Sequence, residues 1–228
     1  MVVGWIVANK ELLKIIYALA ILFICTLIVM KADRLFKISD YQGIRYFRNA
    51  FFFFGLSVVV RFILGSITTT NPETYSIVIR FFFEFFTVVA SLFLLYSLIW
   101  KKIEKQKKHH SLLNLSALTF YLIALVIVGC DWVLKMYFVF YLFQIILFLL
   151  ILVVAFKNYL TLRREYPFLK VYLITVSAGL VSWILDGLLY LTGENKIIQM
   201  IVYGLSTIFF FLFLKGVINL TRNGKKKR

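Results

Sequence analysis

The chain has 228 residues, 62% of them hydrophobic and 18% aromatic, with a mean hydropathy of +0.93. Soluble domains are nearer half apolar, so this composition excludes one and points to an integral membrane protein. The net charge of +16 does not indicate a nucleic-acid binder, because the basic residues sit between apolar runs, where membrane topology accounts for them.

The apolar runs predict an all-α protein: a single transmembrane domain over 1–228 with seven helices, each near the ~20 residues a bilayer needs. They fall at about 12–30, 49–66, 77–100, 112–129, 133–156, 171–191 and 197–220, with a basic tail over 221–228. Alternating strands of a membrane barrel are absent from the pattern. Pro72 and Pro167 both fall between runs, so the helices should carry no proline kinks.

The first run lacks a small-residue cleavage site and is too long for a signal peptide, so it reads as a retained helix with Trp5 as an interfacial anchor. A basic connection follows, with Lys31, Arg34, Lys37, Arg45 and Arg48. After the second run, residues 67–76 contain no Lys or Arg at all, whereas the third run ends in the basic stretch 101–110. The fourth run is short and leads into what reads as a tight connection, Cys130-Asp131-Trp132. Lys157, Arg163, Arg164 and Lys170 then separate the fifth run from the sixth.

These alternate loops and the tail hold 20 of the 26 basic residues, counting Lys215. That asymmetry predicts an outside amino end and a cytoplasmic carboxyl end, in a cell (plasma) membrane. Arg45, Arg48, Lys225, Lys226, Lys227 and Arg228 are then placed to contact anionic lipid headgroups at the cytoplasmic face. Lys215 lies near the same face and snorkels to it.

Helices one to three can be laid over five to seven with an offset of 124–125 residues, which sets Gly55 near Gly179 and Arg61 against Leu185 or Asp186. This suggests a 3+1+3 parallel repeat with helix four as linker. The layout resembles SWEET-type sugar transporters in topology alone. Their proline–glutamine signature is missing, and no family is assigned.

Charge inside the apolar runs marks the candidate site. In Arg80-Phe81-Phe82-Phe83-Glu84 a carboxylate stands among phenylalanines, one helical turn from an arginine on the same face. An ionised group at a helix centre costs ~2.5–3.5 kcal/mol on insertion scales, so it should face protein or water. Arg61 and Asp186 are isolated charges at similar depth. Gln144, Ser182, Tyr190, Gln199 and Tyr203 add polar groups on inward faces in the same outer half. The expected pairings are Arg61–Asp186 and Arg80–Glu84. Arginines this near a helix end can also snorkel, but the shorter Glu84 and Asp186 cannot reach far.

No metal-ligand spacing or cofactor motif is present, and His109-His110 is an isolated pair in a lysine-rich stretch. Without a nucleophile–base set or a phosphate loop, the sequence argues against an enzyme. It supports a receptor-like sensor or accessory membrane subunit, with a polar and charged outer pocket for a small-molecule ligand. The alternative is a small-solute or proton-coupled transporter of 3+1+3 topology.

Overall fold

A computed structural model describes residues 10–64, 72–106, 113–134, 138–162, 168–192 and 196–226. Among these the chain is all-helical and forms seven helices. They are α1 (Lys10–Ser39), α2 (Gln42–Val58, continuing through a π-helical turn at Val59–Leu64), α3 (Pro72–Gln106) and α4 (Leu113–Leu134), then α5 (Phe138–Leu162), α6 (Phe168–Thr192) and α7 (Lys196–Lys226). Pro72 is the first residue of α3, where its missing N–H costs nothing.

Five helices contain stretches long and apolar enough to cross a membrane: Lys14–Lys37, Gln42–Leu64, Ile77–Trp100, Phe138–Thr161 and Ile201–Asn219. The apolar stretches described in α4 and α6, Leu118–Leu134 and Tyr172–Leu188, are shorter. Large apolar side chains also point outward, with Phe23 65% and Val133 72% exposed. A surface this apolar suits lipid better than water. The bundle fits a membrane protein.

The helices run alternately up and down, and six of them close a ring in the order α1, α2, α3, α5, α6, α7 and back to α1. Helix α4 stands outside the ring, packed on α3 and α5. Aromatic side chains fill much of the interior. Phe51 meets Phe213 edge-on at 4.9 Å between α2 and α7, and Tyr46, Phe93, Tyr96 and Trp100 pack where α2 meets α3. Such offset and edge-on pairs each add ~0.5–1.5 kcal/mol beyond the area they bury. Helices α1 and α2 approach closely where Gly55 faces Cys25; a Cβ at Gly55 would stand 3.4 Å from that of Cys25.

Helix ends differ from the sequence pattern in two instructive places. The first helix runs to Ser39 instead of ending near residue 30, and α2 starts at Gln42 instead of 49. Lys31, Arg34 and Lys37 therefore lie on helix. Nothing between Met30 and Ser39 breaks a helix, and a hydropathy window registers only the part that matches the bilayer. The chain reverses at Asp40, whose φ of 48° is left-handed. Arg48 then pairs with Asp33 across this turn and also donates to Asn49, while Arg45 remains exposed. The second difference is at Cys130-Asp131-Trp132. It is not a connection but part of α4, which continues to Leu134. Asp131 is a helical residue turned inward.

Candidate functional site

Two charged groups form at the end of the bundle where α2, α4 and α6 finish. The first joins α3, α4 and α5. Arg80 Nε donates to Glu84 Oε1 at 2.8 Å, one turn along the same helix, and Arg80 Nη2 donates to Asp131 Oδ2. The backbone N–H of Phe140 donates to the other Asp131 oxygen at 3.3 Å. Glu84 and Asp131 are buried and Arg80 is mostly so. Each carboxylate thus meets the guanidinium, and α4 is tied to the start of α5.

The second group surrounds the ring axis. Arg61 Nη1 donates to Asp186 Oδ2 at 3.4 Å, joining α2 to α6. Arg61 lies in the π-helical turn, which adds a residue to that turn of helix and so changes the direction of the side chains on it. The guanidinium also rests against aromatic rings, 4.7 Å from the centroid of Phe83 and 5.4 Å from that of Phe62. Such contacts hold its plane while the N–H edges stay available. Tyr17 stacks on Tyr203 with centroids 4.7 Å apart and donates to Ser206 Oγ at 2.8 Å, joining α1 to α7.

Together these residues line a cleft of about 690 Å³ of empty space, counting its open mouth. All six ring helices contribute to it and α4 does not. Its polar wall includes Arg61, Asp186, Ser182, Tyr17, Tyr203 and Ser206. Deeper along the axis the lining becomes aromatic, with Phe54, Phe148, Phe209 and Phe210. Gly179 leaves room for that layer: a Cβ there would sit 2.5 Å from the Phe209 ring and 2.8 Å from the Phe148 ring. The hydroxyls of Ser57 and Thr87 turn back to carbonyls of their own helices, at 2.8 and 2.7 Å.

The candidate residues are thus divided rather than gathered into one pocket. Arg61, Ser182, Asp186 and Tyr203 line the cleft. Arg80 and Glu84 belong to the group shared with Asp131. Gln144 is fully buried between α5 and α3, where its Oε1 accepts a hydrogen bond from Ser91 at 2.9 Å. The side chains of Tyr190, Gln199, Lys225 and Lys226 lie outside the described ones, as do residues Lys227 and Arg228 altogether.

Sequence reasoning missed Asp131, Tyr17 and Trp183. A signal for Asp131 did exist, since an arginine already matched by one carboxylate shares its depth with a second acid. Tyr17 and Trp183 are aromatic residues in mainly aliphatic helices, and nothing local marks them as site residues.

No family model matches the chain, and no solved structure matches it. It is similar to a protein of Archaeoglobus fulgidus described as "Uncharacterized protein", at 27% identity over 181 residues, or 75% of this chain and 76% of that one. The functional reading therefore rests on the site.

Proposed function

We propose that this chain is a seven-span membrane protein whose axial cleft opens to the outside and binds a small solute, in the manner of a receptor-like sensor or accessory subunit. The feature carrying this reading is the change of lining along the axis, from a charged and hydroxylated mouth to the floor of Phe54, Phe148, Phe209 and Phe210. A concave, partly enclosed site with a few convergent polar groups on apolar walls is the common form of a small-ligand pocket. A floor of packed rings argues for holding a ligand rather than conducting it. The outward orientation follows from the distribution of basic residues, which also favours anionic lipid at the cytoplasmic face.

A transporter is the second reading, favoured by the neighbour pattern of the ring. Exchanging α1–α3 for α5–α7 leaves the order of contacts unchanged, with α3 beside α5 where α7 is beside α1. This is the arrangement a 3+1+3 repeat would give, and it sets Arg61 opposite a residue 125 positions later.

Sidedness separates the two. Cys130 is exposed and Cys25 buried, so a Cys130→Ser background supplies a quiet reference for a Ser182→Cys probe. In oriented membrane vesicles, a membrane-impermeant maleimide should label Ser182→Cys from the outer face alone. Labelling from both faces would establish alternating access and overturn the sensor reading in favour of transport.

A further inference from the structure

The Arg61–Asp186 pair has the groups of an ion pair but not its saturation. A guanidinium carries five N–H donors, and among the described residues Arg61 has one acceptor, at the long distance of 3.4 Å. Asp186 likewise accepts one hydrogen bond there. Both side chains line the cleft, with 35% of Arg61 and 14% of Asp186 exposed. An unused donor edge therefore stands beside an unused acceptor oxygen on the same wall.

Charge balance restricts what these groups accept. The pair is neutral as a whole and sits among aromatic rings in an apolar bundle. A ligand with one net charge would leave that charge uncompensated in a poorly solvating site, which is costly. A neutral solute with both charges matches each unused edge and adds no net charge. The fork of a guanidinium suits the two oxygens of a carboxylate, and the free Asp186 oxygen suits an ammonium. Because the two side chains are in direct contact, the ligand's charges must also be close together. The rings of Tyr17, Tyr203 and Trp183 supply adjoining aromatic surface beside the hydroxyls.

We propose that the cleft takes a small zwitterion of the α-amino-acid kind, its carboxylate on Arg61 and its ammonium on Asp186. This assignment rests on the cleft being the ligand pocket proposed above. Phe62 and Phe83 hold the guanidinium plane, and the remaining substituent of the ligand lies against the aromatic wall.

The test uses the full chain purified in detergent, carrying Cys130→Ser and Ser182→Cys, and follows the rate of maleimide labelling. Each common α-amino acid is added singly as protectant, with 3-phenylpropionate and phenethylamine as controls bearing one charge each. At least one amino acid should slow labelling tenfold or more at saturation, and the two controls should not. Adding Arg61→Gln or Asp186→Asn should raise the concentration needed for protection more than tenfold. If labelling proceeds and no amino acid slows it, or a single-charge control protects equally well, the zwitterion assignment falls while an accessible cleft stands. If Ser182→Cys does not label at all, both fall. Should either charge variant fail to fold, protection with the native pair decides alone.

Discussion

Arg80 and Arg61 occupy the same end of the bundle, yet they meet their carboxylates in opposite ways. Arg80 is enclosed by Glu84 and Asp131, with Phe140 N–H completing the second acid. Arg61 meets one acid at 3.4 Å and keeps its remaining edge toward a cleft. The same side-chain chemistry is thus arranged as a clasp between helices in one place and as an open hand in the other. What separates them is whether nearby helices satisfy the guanidinium, not how deeply it lies.

The comparison breaks most readily at Arg80. Arg80→Met leaves two buried acids without their cation and should lower stability by ~3–5 kcal/mol, read by thermal unfolding in detergent. Adding Glu84→Gln and Asp131→Asn to it should restore much of the loss. If Arg80→Met is neutral, the clasp is not structural.

Gly179→Ala comes next. It pushes a methyl into the Phe209 and Phe148 rings and should cost ~1–3 kcal/mol as overpacking. The same variant should slow labelling of Ser182→Cys if the rings are displaced into the cleft.

A double-mutant cycle over Arg61→Gln and Asp186→Asn should give the smaller coupling, because a single contact at 3.4 Å joins the pair. A cycle over Arg80→Gln and Asp131→Asn should give clearly more. Equal couplings would erase the distinction between the two arginines.

Tyr17→Phe should have the smallest effect. It removes the hydrogen bond to Ser206, worth ~0.5–1.5 kcal/mol, and keeps the stack on Tyr203. Unfolding midpoints measure the change, and a larger loss would mean that the α1–α7 seam depends on this hydroxyl.

Much of this arrangement could be read before folding. Seven apolar runs announced seven helices, because apolar length is a local property. The Arg80–Glu84 contact follows from a spacing of four residues on one helix, and the proximity of Arg61 to Asp186 from their similar depth. Depth alone could not separate the two groups, since it says nothing about which helix stands beside which. That order places α4, and with it Asp131, against α3 and outside the ring. Helix ends were legible only to the point where apolar residues stop, so Lys31–Ser39 looked like a connection although no residue there interrupts a helix.

The π-helical turn of α2 has a consequence for the lineage of this site. A π-helical turn takes up one extra residue within a single wider turn, so the residues inside it leave the helix in directions that regular winding would not give them. A one-residue deletion upstream of Arg61, at Val59 or Val60, would return α2 to regular winding and change the direction in which Arg61 leaves the helix. Arg61 and Phe62 would both shift relative to the cleft they line. The position of this charge is thus a matter of counting as much as of chemistry, and a gap of one residue in a related chain would mark the presence or absence of the pair.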